Sequence, residues 1–207
     1  MPSFHDGYQT QSAGVHITSA IPGLAGHIPR LTHIEFRIAA TAHTLYVMKC
    51  CGNTAAGEEA SSGQAALEFD GTAPLITPAG AAETVAASDW CVIQTVAGLQ
   101  VNDIASLTGN LVSFNDNFNA VIEKGAPIWV FGEVTRAVHT SLELEASKTT
   151  VYQDLMIQGG IAAESDVYQA RVGSGEPLLI VSANATNPGF LRSLSGVYMP
   201  DSDQNMN

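Results

Sequence analysis

The stretch Leu31-Thr32-His33-Ile34-Glu35-Phe36-Arg37-Ile38 decides the fold class. Its apolar residues Ile34, Phe36 and Ile38 alternate with His33, Glu35 and Arg37, and a period of two places one set on the buried face of a strand and the other on its open face. Ala39 to Ala42 then lead into His43-Thr44-Leu45-Tyr46-Val47-Met48-Lys49-Cys50, a run rich in strand-favouring residues. The two runs are expected to turn back on each other as an antiparallel pair.

The same rhythm extends outward. Asp89-Trp90-Cys91-Val92-Ile93-Gln94-Thr95-Val96 predicts a strand, and the Ala97-Gly98 step predicts a hairpin into Leu99-Gln100-Val101. Further strands are expected within Ile104 to Phe114, Asn119 to Ile122, Pro127 to Val134, Ser141 to Glu145, Thr149 to Leu155, Asp166 to Val172, Pro177 to Val181 and Phe190 to Met199. Lys124-Gly125-Ala126-Pro127 and Gly173-Ser174-Gly175 supply turns between them. The best helical rivals, Gly80 to Ala87 and Gln158 to Glu164, are short, and no repeat of fixed period is visible. Roughly ten short strands punctuated by Gly, Pro and Asn define an all-β chain, a jelly-roll-like β-sandwich or barrel.

Three flanking regions differ from this body. Residues 1–30 hold Gly7, Gly14, Pro22, Gly23, Gly26 and Pro29, which break any periodicity, and are expected to form an extended N-terminal arm. Its apolar residues Phe4, Tyr8, Val15, Ile17, Ile21, Leu24 and Ile28 are too sparse for a core and too many for a solvated tail, so they are expected to pack as an interface on this domain or a neighbour. Residues 31–199 are read as one β domain, interrupted at 52–88 by an Ala/Gly-rich excursion that is a docking feature or hides short strands. Residues 200–207 form a polar C-terminal tail.

Composition narrows the function. In 207 residues, 45% are hydrophobic but only 14% are charged, below the usual quarter, so the surface can be covered by another protein without stripping many ions of water. A net charge of −12 opposes binding to a phosphate backbone, and no nucleic-acid partner is expected. Cys50, Cys51 and Cys91 form no disulfide framework and are read as reduced thiols from a reducing cytoplasm. Met1 to Thr10 lack a secretion signal, and no apolar run suits a membrane span, so neither export by that route nor a membrane partner is expected. The Asn184-Ala185-Thr186 sequon is then a chance match.

No motif for chemistry emerges. His5, His16, His27, His33 and His43 crowd the first part of the chain without His-x-His or Cys-x-x-Cys spacing, so no metal or cofactor is expected. Asn115-Asp116-Asn117 lacks the Gly and distal Glu of a calcium loop and is read as a turn. There is no Gly-x-Ser-x-Gly elbow and no catalytic signature around any cysteine. Glu143 and Glu145 share a strand face, which suits solvation better than glycosidase chemistry. Gly173-Ser174-Gly175 precedes an apolar strand where a phosphate loop leads into a helix. Trp90 and Trp129 sit in apolar runs and are read as core residues rather than sugar platforms. The expected protein is not an enzyme.

Three stretches together resemble bacteriophage capsid decoration, or cement, proteins encoded among phage head genes. They are Thr32-His33-Ile34-Glu35-Phe36 with Ala42-His43-Thr44-Leu45, then Ser88-Asp89-Trp90, and then Glu176-Pro177-Leu178-Leu179-Ile180-Val181-Ser182-Ala183-Asn184-Ala185-Thr186-Asn187-Pro188-Gly189. The resemblance implies a structural virion protein, made in the host bacterial cytoplasm, that binds the outer capsid surface and bridges major capsid protein subunits. It implies a homo-oligomer, with a trimer as the guess. The long arm and the excursion depart from a compact decoration domain and leave a tail or fibre position open. The alternative from another class is a carbohydrate-binding or adhesive β-sandwich using Trp90 or Trp129. A cupin-type metal enzyme requires a His and Glu cluster whose spacing the early histidines do not show.

Overall fold

The computed structural model describes residues 2–6, 9–10, 18–38, 43–48, 50–71, 75–76, 82–83, 85–132, 138–144, 149–157, 175–182 and 189–200. Among these residues the chain is all-β, with antiparallel sheets and no helix. It divides into two compact units, one made of Met1–Met48 with Val138–Asn207 and the other of Lys49–Ala137. The expected strands at Asp166 to Val172, the helical rival at Gln158 to Glu164 and the tail 201–207 lie outside the described residues.

The first unit contains two sheets. One has the order β1 (Ser3–Asp6), β17 (Gly189–Pro200), β4 (His27–Ile38), β15 (Thr149–Ile157), with β2 (Gln9–Thr10) also on β17. The other has the order β14 (Val138–Leu144), β5 (His43–Met48), β16 (Leu178–Ser182), β3 (Thr18–Ile21). Leu31, Ile34 and Phe36 of β4 and Leu191, Leu194 and Tyr198 of β17 join Ile21, Leu45, Val47, Leu178 and Ile180 of the second sheet in one buried cluster. Two sheets sharing one apolar layer are a sandwich. Each large side chain removed from water there contributes about 1.5–3 kcal/mol. The Tyr198 hydroxyl donates to the Pro22 carbonyl at 2.7 Å, which satisfies the polar end of a residue otherwise buried.

The expected alternation is present over 33–37, with Ile34 and Phe36 buried and His33, Glu35 and Arg37 not, while the side chain of Ile38 lies outside what is described; Leu31 is buried as well. The expected pairing of that run with 43–50 is not. β4 pairs with β15 and β17, whereas β5 pairs with β14 and β16, so the two consecutive strands belong to facing sheets. Alternation fixes which side of a strand is buried, and both strands bury theirs in the same layer; a strand across the sandwich satisfies that pattern as well as a neighbour does.

β4 also begins earlier than expected, at His27, and includes Pro29 opposite Tyr198. Proline removes a ladder donor and is tolerated only where one side of the strand is unpaired. The pairing of β15 with β4 reaches no further than Leu31, so among the described residues Pro29 is paired on the β17 side alone. Nearby, Gly23 lies so close to the backbone of Gly175 and Glu176 that an added Cβ would overlap the Gly175 carbonyl.

The second unit is built from β6 (Cys50–Ala55), β7 (Ala66–Glu68), β10 (Trp90–Thr95), β11 (Gly98–Thr108), β12 (Leu111–Phe114) and β13 (Pro127–Phe131), in the spatial order β6-β13-β10-β11-β12-β7. A separate short pair joins β8 (Leu75–Ile76) to β9 (Ala82–Glu83). The first and last strands of the six meet just beyond their ends. Ala56 bridges Phe69, with Gly57 N–H donating to Glu68 O at 2.7 Å and Asp70 N–H donating to Ala55 O at 2.8 Å. At this seam a single bridge draws the two ends of the curled sheet together into a small half-barrel.

The barrel interior is filled by Ala56, Ala60, Leu67, Phe69, Cys91, Ile93, Ile104, Val112, Phe114, Phe118, Ile122, Ile128 and Val130. A register shift between Ile104 and Ser106 bends the long β11 so that it serves both halves of the sheet. The hairpin predicted at Ala97-Gly98 forms with Thr95 opposite Gly98, whose φ of 120° suits glycine. Within 52–88, the part expected as an excursion, β7 leads into the seam. Asn119 to Ile122 forms no strand, only the bridge of Ile122 to Ala60.

Candidate interaction surfaces

The N-terminal segment pairs with both sheets of the sandwich. β1 aligns with β17, Ser3 opposite Val197 and Asp6 opposite Leu194, and the Tyr198 N–H donates to the Pro2 carbonyl at 2.8 Å. β3 aligns with β16, Ile21 opposite Leu178 and Thr18 opposite Val181. Among the expected interface residues, Ile21 is 2% exposed within the sandwich core and Leu24 packs partly buried against that cluster. Phe4 lies on β1 and Ile28 on β4, while Tyr8, Val15 and Ile17 lie outside the described residues. Pro2, Ser3 and His5 are exposed.

The face of the first sheet that points away from the core carries a row of register partners across its strands: His5, Ser195, His33 and Gln153. Beside this row stand Glu35 opposite Ser193, Arg37 opposite Phe190 and Arg30 opposite Val197. Arg192 occupies the register shift between Leu191 and Ser193, and its guanidinium bonds the Glu35 carboxylate at 3.0 Å. Arg37 is exposed. Among the described register pairs of this face, Glu35 is the carboxylate, set beside Arg30, Arg37, His5 and His33. His33 Nε2 lies 3.4 Å from Ser193 Oγ, the outer limit of a hydrogen bond. No carboxylate orients the His33 ring among the described residues, so this pair lacks the third member of a nucleophilic triad.

The barrel surface has the opposite character. From residue 50 to residue 132 the sequence contains nine Asp and Glu, one basic residue, Lys124, and no histidine. Lys124 Nζ bonds Glu58 Oε1 at 2.9 Å, and both groups are largely exposed. Its pKa is raised, first by that hydrogen bond and the Glu58 charge and then by the charges of Asp70 and Glu68, so three carboxylates surround one ammonium. Leu111, 48% exposed, is the cross-strand partner of Glu68. Val96, 61% exposed, occupies the β10–β11 turn beside a shallow depression of about 280 Å³ lined by residues 94–96 and 123–127.

A polar clamp fixes the loop after β12. Asn102, 1% exposed, donates from Nδ2 to Asp116 O at 2.9 Å and accepts from Gln100 Nε2 at 2.8 Å. Gln100 also donates to Asn117 O at 3.0 Å and accepts from the Asn119 N–H at 2.8 Å. Asn115 Nδ2 donates to Asp103 Oδ2 at 2.5 Å. The 115–117 stretch is the expected turn, with its carbonyls of Asp116 and Asn117 committed to this network. Sequence reading missed the clamp because Gln100 and Asn102 are separated from their loop partners by the whole of β12.

Cys91 is fully buried, and its thiol is held well above its ordinary value, chiefly by burial and further by the charges of Asp89 and Asp103. Cys50 is buried, and its Sγ donates to Gly52 O at 3.3 Å. Trp90 is 8% exposed, but Trp129 is only half-buried and stands outside the barrel cluster, so the expectation that both are core residues holds for Trp90 alone. Among the described residues no group of three His, Cys, Asp or Glu is placed to hold a metal ion. Among the described residues no helix is long and apolar enough to cross a membrane.

No family model matches the chain, and no curated protein matches it. Among solved structures, the chain is similar to VP17, a capsid protein of bacteriophage P23-77, at 11% sequence identity and a TM-score of 0.22, over 96% of this chain and 99% of that one. A superposition at that score does not define a shared fold.

Proposed function

We propose that this chain is a structural protein of a phage virion that docks on the outer surface of the assembled capsid and bridges major capsid protein subunits. One observation carries the binding half of this reading. Both interiors are filled mainly with apolar side chains, and the polar groups that reach solvent include the half-buried His33 with Ser193 on a sheet face and the exposed carboxylates around Lys124 beside the exposed Leu111. Such surfaces suit contact with another macromolecule, and repeated docking over a shell gains strength by avidity without tight single contacts. The capsid half rests on the decoration-protein resemblance, whose stretches fall on β4 and β5, at the start of β10 and on β16.

The N-terminal segment is part of the proposal. Residues 1–17 include β1 and β2, whereas a cut at residue 30 would also remove β3, with Ile21 from the core, and the first turn-proximal part of β4. Removing 1–17 is expected to leave a folded protein that no longer binds particles. The test is co-sedimentation of full-length and shortened protein with phage shells stripped of accessory proteins. Failure of the full-length protein to sediment with shells overturns the capsid reading, and equal binding of the shortened protein overturns the role of the segment.

A further inference from the structure

The charges of this chain are unevenly divided. The inserted unit, Lys49–Ala137, contains ten acidic and three basic residues, a net charge of −7, and none of the six histidines. The remainder contains ten acidic and five basic residues and all six histidines. Structure concentrates the division further. The outward face of the β1-β17-β4-β15 sheet presents Arg37 and Arg192 with His5 and His33 around the Glu35 carboxylate, while the barrel gathers Glu58, Glu68 and Asp70 around Lys124.

We propose that these two surfaces are the halves of a self-association interface, in which the acidic barrel patch of one copy docks on the arginine face of a second copy. The occupant is chosen by charge complementarity within the chain itself. A net charge of −12 disfavours association of like molecules in general, so a specific contact between copies needs an opposite-charge pairing, and this face supplies the cationic side. Geometry agrees with charge. The sheet face carries the small side chains Ser193 and Ser195 between its long ones, which leaves room for side chains of a partner. Arginine presents a flat guanidinium to carboxylates and an apolar stem to Leu111, the exposed apolar side chain opposite Glu68.

The contact joins two different patches, so each copy keeps one patch of each kind for a further neighbour. This inference stands apart from capsid docking and is tested on purified protein with no shell present. Sedimentation velocity of the full chain at about 20 mM salt should show association that dissociates at roughly 0.5 M, where the Debye length falls to a few ångströms.

Charge reversal makes the test specific. Arg37→Glu with Arg192→Glu, and separately Glu68→Lys with Asp70→Lys, should each weaken association about tenfold or more. A neutral pair, Arg37→Gln with Arg192→Gln, guards against misfolding of the reversed variant, and circular dichroism checks every variant. The two reversed variants mixed in equal amounts should associate again, because each then offers the patch the other lacks. A monomeric full-length protein at low salt, association indifferent to salt, or a mixture that stays monomeric overturns the proposal.

Discussion

Met48 and Val138 are cross-strand partners on β5 and β14, and the whole inserted unit lies between them in sequence. Residues directly opposite in an antiparallel pair have Cα atoms about 4.5–5.5 Å apart. The β5–β14 pair is therefore a hairpin whose turn has been replaced by a barrel with its own core.

Excision follows from that relationship. Replacing Lys49–Ala137 by Asn-Gly, which closes a two-residue hairpin, should leave the sandwich folded, since its buried cluster takes no residue from the insert. Circular dichroism should keep a β spectrum, and heating should give one cooperative transition. A non-cooperative melt would show that the sandwich depends on the barrel.

Within the barrel, Asn102 is the residue on which the 115–119 loop depends. Asn102→Leu removes the donor to Asp116 O and the acceptor for Gln100 Nε2 at a site 1% exposed. The cost should be about 1–3 kcal/mol for the polar groups left unpaired. Urea unfolding measures it; a change within a few tenths of a kcal/mol would mean that the loop finds other partners.

Cys91 predicts an alkaline limit. Its folded-state pKa is raised, so below the ordinary value of 9.0 the thiol is neutral whether the chain is folded or not, and stability is unaffected. Above that value the unfolded chain loses the proton while the folded one retains it, and stability falls as pH rises. Denaturant midpoints measured upward from pH 9 should decline more steeply for the natural protein than for Cys91→Ala. Equal slopes would assign the decline to other groups.

Legibility in the sequence followed the range of the interaction. Ile34 and Phe36 announced β4, and Ala97-Gly98 announced the β10–β11 hairpin, because alternation and turn chemistry are encoded within a few residues. The neighbours of β4 were not legible: Phe36 faces Thr150 and Leu191, and nothing near residue 36 specifies either. The barrel seam escaped notice for another reason. Ala56 and Ala60 are 1% and 2% exposed, but alanine carries little strand signal, and the surrounding Gly and Ser suggested an excursion.

The candidate surfaces were the least legible. Arg37 and Arg192, or Glu58 and Asp70, are far apart in sequence and meet only through strand register and the seam. Of the apolar residues expected to pack on this domain or a neighbour, Ile21 packs in the core of its own chain, a contact that no local pattern near residue 21 specifies.

The pairing of β17 with β1, β2 and β4 has a consequence for how the chain is made. Every strand of the barrel emerges during synthesis before residue 138, so this unit has all of its strands before the first sheet has its own. The first sheet must wait. Its middle, between β1 and β4, stays vacant until residues 189–200 have been translated, so the face that carries Arg37 and Arg192 does not exist on a nascent chain. Any partner that reads that face therefore meets only chains in which β17 has already paired with β4.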